Sequence, residues 1–125
     1  MSKQHLQKCL MILVTLLTLS TSQLAVAADK DPKVAWDMID AGALIVDVRT
    51  AEEFAAGHLP NAINIPFEII VSAFKERKIA KDKSVVLYCR SGRRSGIAFD
   101  ALVAQGYSNS YNGGGYVPLM NSLKK

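Results

Sequence analysis

Cysteine is scarce in this chain. Two among 125 residues exclude a disulfide-stapled scaffold. Tryptophan occurs once, and Trp36 reads as packing at a surface edge rather than a ligand platform. No repeat, linker or low-complexity segment interrupts the stretch from Asp31 to Lys125. No apolar run reaches the ~20 residues a membrane-spanning helix needs. No group of His, Cys and carboxylate side chains has metal-ligand spacing, so neither metal nor cofactor is expected. Charge is nearly balanced at 15 Lys+Arg against 11 Asp+Glu, with 50% hydrophobic and 21% charged residues. Those ordinary values exclude disorder, collagen and a coiled coil, and the length suits one domain.

The N-terminus has its own pattern. Lys3 and Lys8 give a basic start, and Cys9 to Leu19 is an apolar run. Small and polar residues follow, ending Ala25-Val26-Ala27. This is the three-part plan of a secretory signal peptide with a small-x-small cleavage site. Residues 1–27 are therefore expected to be removed, leaving a domain over 28–125 in a periplasm-like space. Cleavage would leave 98 residues and take two lysines but no acid, so the charge would fall from +4 to +2. Nothing then points to nucleic acid, and no stable membrane insertion is expected after cleavage. Cys89 would be the sole remaining thiol. An odd cysteine in an exported chain reads as an intermolecular partner or a reactive group.

The rest alternates short β-type runs with helical ones. Asp31-Pro32 is a helix start, with Val34, Ala35, Met38 and Ile39 on one face and Gly42 as the stop. Ala43 to Val48 is a continuous apolar run, as in a buried parallel strand. Thr50-Ala51-Glu52-Glu53 is a capping box opening a short helix that Gly57 closes. Ala62 to Ile65 reads as a strand. Phe67 to Lys78 reads as a helix with Phe67, Ile70, Val71 and Phe74 inward. Ser84 to Cys89 is the clearest strand. Arg94 to Gln105 reads as a helix with Ile97, Ala98, Ala101 and Leu102 inward. Ser110 to Asn112 reads as a last strand, before Gly113-Gly114-Gly115 and a terminal helix. The expectation is an α/β fold, a central mostly parallel sheet flanked by helices on both faces. Ligands in such sheets bind outside the carboxyl ends of the strands.

Cys89 falls at such an end. Arg90-Ser91-Gly92-Arg93-Arg94 follows, then a helix. Unpaired amides at a helix start and three arginines favour thiolate over thiol, and the thiolate is the nucleophile. The same features attract a small anion. Gly92 lets the turn close and brings amides near the sulfur. Such a thiol is expected to be exposed and easily oxidised. Asp47 and Arg49, two apart, share one side of an extended segment and suit an ion pair supporting the site. Glu53 suits the same role. His58 reads as a helix-end histidine bonding to backbone.

Cys89-Arg90-Ser91-Gly92-Arg93-Arg94-Ser95 resembles the active-site loop of the rhodanese (thiosulfate sulfurtransferase) family. So does the upstream stretch Leu44-Ile45-Val46-Asp47-Val48-Arg49, continuing through Glu53-Phe54 to Gly57-His58-Leu59-Pro60-Asn61-Ala62-Ile63-Asn64-Ile65-Pro66. Gly113-Gly114-Gly115 is similar to a late glycine-rich element of the family, and Tyr116 stands where many relatives carry Trp. With the leader, the chain looks most like the exported single-domain rhodaneses of the phage-shock type. The resemblance implies a single rhodanese-like domain in which Cys89 cycles through a persulfide. Sulfur would come from thiosulfate or a similar donor and go to cyanide, a thiol or a thiol protein. Ser91 and Gly92 would cradle the persulfide. Arg90 and Arg93 would hold the thiosulfate anion, and Arg94 would bind it or turn inward to hold the loop. Asp47, Arg49 and His58 would support the site.

Other readings use the same thiolate. A tyrosine-type phosphatase places Arg after five intervening residues, where Ser95 stands here, and Arg94 comes after only four. Arsenate reduction belongs to the same class. A persulfide carrier or a redox-sensing module would also keep Cys89.

Overall fold

The computed structural model describes residues 29–123. The expected leader at 1–27, with Cys9, lies outside them. Helix α1 (Pro32–Asp40) begins where Asp31 accepts a hydrogen bond from the Lys33 amide and Pro32 occupies the first turn. It ends before Gly42, whose φ of +105° is left-handed. Strand β1 (Leu44–Asp47) follows. Helix α2 (Ala51–Ala55) carries the full reciprocal capping box between Thr50 and Glu53. Strand β2 is two residues long (Ile63–Asn64).

A 3-10 turn (Phe67–Ile69) leads into α3 (Ile70–Glu76). This segment is shorter and less uniform than the helix expected to Lys78. Lys78 itself sits at φ +54°, which ends the helix. Strand β3 (Val85–Cys89) and helix α4 (Arg93–Ala104) enclose the Cys89 loop. Strand β4 (Ser110–Gly115) and helix α5 (Tyr116–Leu123) complete the described chain.

The four strands form one sheet in the order β2-β1-β3-β4, and every pairing is parallel. All five residues of β3 are buried, as its central place requires. Side chains alternate between the faces. Val85, Leu87 and Cys89 join Phe74, Ala98 and Leu102 under α3 and α4. Val86 and Tyr88 join Ala35 and Leu119 under α1 and α5. The Trp36 indole N–H donates to the Leu119 carbonyl, tying α1 to α5.

Two expectations are corrected. Ile97 is 44% exposed, not inward. The inner face of α4 is Ser95, Ala98 and Leu102. Ser95 must face β3 and β4, and a residue two positions on points about 200° away. The three glycines do not follow the last strand but form its second half. Leu87 pairs with Asn112 while Tyr88 pairs with Gly114, so β4 bulges at Gly113. A Cβ at Gly113 would stand 2.9 Å from Val86 Cγ1 and 3.2 Å from the Leu87 carbonyl oxygen. The bulge and this close approach require glycine.

Candidate active site

Strand β3 delivers Cys89 to the carboxyl end of the sheet, beside the end of β1. Here β2 leaves on one side and β3 on the other, the point where doubly wound sheets open a crevice. Only Arg90, Ser91 and Gly92 separate Cys89 from α4. Arg93 and Arg94 therefore lie in the first helical turn rather than in a loop running to Arg94. Gly92 makes the turn close. It caps α4 at φ +96°, and its amide donates to Cys89 Sγ at 3.0 Å.

Cys89 is fully buried, not exposed as the sequence suggested. Strand and helix bring it under the loop, where its side chain also packs with the α3–α4 core. Burial pushes the thiol's pKa up. The hydroxyl and amide of Ser95 and the amides of Ser91 and Gly92 outweigh burial, so the pKa falls below that of an ordinary thiol. The three amides point at one atom because α4 starts directly after the turn.

Two residues that carry this arrangement were not singled out from sequence. Ser95 Oγ lies 3.5 Å from Sγ and donates to Asn112 Oδ1 at 2.7 Å. Its single hydrogen has two acceptors. Given to Asn112, it leaves an oxygen lone pair for the thiol; turned to Sγ, it stabilises the thiolate. Asn112 is 1% exposed. Its Nδ2 donates to the Gly92 carbonyl, and its Oδ1 also accepts from the Gly114 amide. One amide side chain thus joins the loop, the hydroxyl and the β4 bulge. A polar residue directly before a glycine run was the signal available in the sequence.

The arginines divide. Arg90 and Arg93 are exposed. Arg94 makes a two-pronged pair with Glu53, Nη1 to Oε1 at 2.7 Å and Nη2 to Oε2 at 3.0 Å. Arg94 therefore holds the start of α4 to the start of α2. No acidic residue occupies the first turn of α4, and arginines fill its first two positions. Cations there oppose the helix dipole; Glu53 neutralises Arg94, which leaves Arg90 and Arg93 as the exposed cations beside this end of α4 for an anion to meet.

Glu53 is held at a pKa of about 2 against an ordinary 4.5, first by the Arg94 hydrogen bonds and then by the Thr50 amide and hydroxyl. A depressed carboxylate stabilises the fold fully above its unfolded pKa and loses that contribution as pH falls towards the folded value. Chemical unfolding followed from pH 5 down to pH 2 should show Glu53→Gln losing less stability across that window than the parent. Equal slopes would mean that Arg94 draws no ionic support from Glu53.

Asp47 and Arg49 form a separate, buried cluster. Arg49 Nη2 meets Asp47 Oδ2 at 2.6 Å, and Nε meets both carboxylate oxygens at 2.9 and 3.0 Å. Arg49 Nη2 also donates to the Gly57 carbonyl. The guanidinium lies 4.6 Å over the Tyr116 ring and 5.7 Å over Tyr88. The Leu59 amide donates to the Tyr88 hydroxyl, and Asn64 Nδ2 reaches the carbonyls of Asp47 and Arg49. This cluster fixes the end of β1 against the α2–β2 connection. His58 is exposed, stacked on Phe54 at 3.7 Å, with Nδ1 3.0 Å from the Phe54 carbonyl oxygen. It finishes α2. Among the described residues, no group of three or more His, Cys, Asp or Glu side chains could hold a metal ion. Nor is any described helix long and apolar enough to cross a membrane.

Comparison with known proteins matches residues 31–118 to the rhodanese-like domain family. A sulfurtransferase of Allochromatium vinosum is 45% identical over 69 residues, which are 55% of this chain and 63% of that protein. The match therefore covers less than two thirds of that relative's length. Thiosulfate sulfurtransferase PspE of Escherichia coli K12 is 36% identical over 70 residues, covering 56% of this chain and 67% of that one. Among solved structures, the human single-domain sulfurtransferase TSTD1 aligns with a TM-score of 0.62 at 27% identity, covering 76% of this chain and 97% of its own.

Proposed function

The chain belongs to the rhodanese-like domain family, and from that premise we propose that it is a sulfurtransferase working through a persulfide on Cys89. One observation carries the reading: a buried sulfur at the carboxyl end of the central strand, with the amides of Ser91, Gly92 and Ser95 and the Ser95 hydroxyl directed at it.

The Cys89 thiolate attacks the outer sulfur of thiosulfate. A bond forms between Sγ and that sulfur, the sulfur–sulfur bond of thiosulfate breaks, and sulfite leaves with the electron pair. The persulfide is then attacked at its outer sulfur by a thiophilic acceptor such as cyanide or a thiol, and the thiolate returns. The preorganised amides stabilise the charge as it shifts between sulfur atoms. Arg90 and Arg93, exposed beside the start of α4, hold the anionic donor. Arg94, tied to Glu53, sets the loop in place. The residues between Cys89 and Arg94 are one fewer than the phosphatase pattern requires.

The working place we propose is an exported, periplasm-like compartment, with the domain beginning at residue 28. Its support is the basic, apolar and small-residue pattern of residues 1–27.

Intact-mass measurement tests the chemistry. Incubation with thiosulfate should add about 32 Da, one sulfur atom, to Cys89, and cyanide or dithiothreitol should remove it. A folded protein with a free thiol and no gain in mass would overturn the reading. Arg93→Ala should raise the thiosulfate KM about tenfold while kcat changes little. Unchanged KM in both Arg90→Ala and Arg93→Ala would remove these residues from the donor site.

A further inference from the structure

Lys30, just before α1, lies against the catalytic loop. Lys30 donates its amide to the Asn112 carbonyl at 2.7 Å and sits at φ +64°, a left-handed conformation that non-glycine residues rarely adopt. That conformation turns the side chain along the loop. A Cβ at Gly92 would stand 3.0 Å from Lys30 Cε and 3.1 Å from Cδ. A Cβ at Gly114 would stand 3.1 Å from Lys30 Cβ and 3.3 Å from Cα. The lysine stem therefore lies across both glycines, from the β4 bulge to the cap of α4. Both glycines have positive φ, and both are bare on the side the stem covers.

The consequence is electrostatic. Nζ is one bond beyond Cε, beside residue 92, whose amide points at the sulfur. Lys30 is exposed, so its stem packs while its ammonium stays in water. We propose that Lys30 is a third donor-binding cation, contributed by the start of the domain, and that its stem braces the catalytic loop. This rests on the sulfurtransferase reading for the identity of the anion, but not for the charge or the brace. It is a positioning and binding role, since Lys30 acts on the incoming anion and on the loop rather than on the sulfur itself.

The test separates charge from packing. Lys30→Met keeps an unbranched stem of similar reach and removes the charge; Lys30→Ala removes both. Alkylation of Cys89 by anionic iodoacetate and by neutral iodoacetamide is measured on the same protein. The two reagents alkylate the same sulfur and differ chiefly in charge, so the ratio of their rates reports the potential at the site. At low salt, Lys30→Met should lower that ratio about threefold, and about 0.5 M salt should shrink the difference. The thiosulfate KM should rise by a similar factor with kcat unchanged. Lys30→Ala should show the same loss and, in addition, faster hydrogen exchange at the Ser91 and Gly92 amides. A parental ratio in Lys30→Met at low salt would overturn the charge assignment. Parental exchange in Lys30→Ala would overturn the brace. A parent protein that alkylates normally but takes no sulfur from thiosulfate would sink the sulfurtransferase reading, and the alkylation ratio would still decide on Lys30.

Discussion

Cys89→Ser should lower thiosulfate-dependent sulfur transfer by at least about a thousandfold, to the background rate, because the covalent intermediate cannot form. A serine oxygen in the same place is not ionised near neutral pH and is a poor nucleophile towards sulfur. The variant should gain no mass from thiosulfate. It should also fold, since serine is close in size to cysteine and the core around it belongs mainly to Phe74, Leu87, Ala98 and Leu102. Circular dichroism and a thermal melt check that point beside the assay. Residual turnover within tenfold of the parent would show that sulfur moves by another route. Ser95→Ala makes the contrast. It leaves the nucleophile and removes a donor to it, so the pH at which Cys89 ionises should rise, read from the pH profile of iodoacetamide alkylation. Activity should survive and shift to higher pH.

The largest stability effect should come from the other side of the sheet end. Arg49→Met leaves Asp47, which is 0% exposed, without its guanidinium partner. Breaking one member of a buried pair costs about 3–5 kcal/mol. In a domain of this size that lowers the melting temperature on the order of 20 °C. Replacing both residues, Asp47→Leu with Arg49→Met, should recover much of the loss, because no buried charge is then stranded. The recovery distinguishes an ionic strut from simple filling by the arginine stem under Tyr116. At a temperature where Arg49→Met is folded, its thiosulfate KM should match the parent, since Arg49 contacts Asp47, Gly57 and the two tyrosines rather than the Cys89 loop. A melt within a few degrees of the parent would mean that the pair contributes little.

What the sequence conveyed, it conveyed through short-range chemistry. Thr50 and Glu53 are three apart, so the capping box could be read directly and is present in full. Gly92, three residues beyond Cys89, announced a tight turn, and the turn is there. Asp47 and Arg49, two apart on a strand end, do form an ion pair. What the sequence hid depends on distant partners. Glu53 and Arg94 are 41 residues apart, and nothing local in either showed that one carboxylate serves both a helix cap and an arginine. Asn112 looked like a strand residue, because its role depends on a bulge that exists only when β4 meets β3. Ile97 was placed inward by apolar periodicity. Ser95, a polar residue, claims that face because its partners Cys89 and Asn112 are buried beneath it. The depth of Cys89 was likewise invisible until the loop and α4 were placed over it.

The same bulge bears on how copies of this protein meet. The outer strands of the sheet are β2 and β4. An outer strand that is long, straight and unoccupied invites a strand from a neighbouring molecule. Strand β2 offers only Ile63 and Asn64, with Pro66 just beyond. Strand β4 is longer, but it is kinked at Gly113, and its Asn112 carbonyl is already taken by the Lys30 amide. A proline-bounded stub on one side and a bent, partly occupied edge on the other discourage edge-to-edge stacking of one molecule on the next. The glycines that admit the kink thus also guard a crowded solution against β-aggregation.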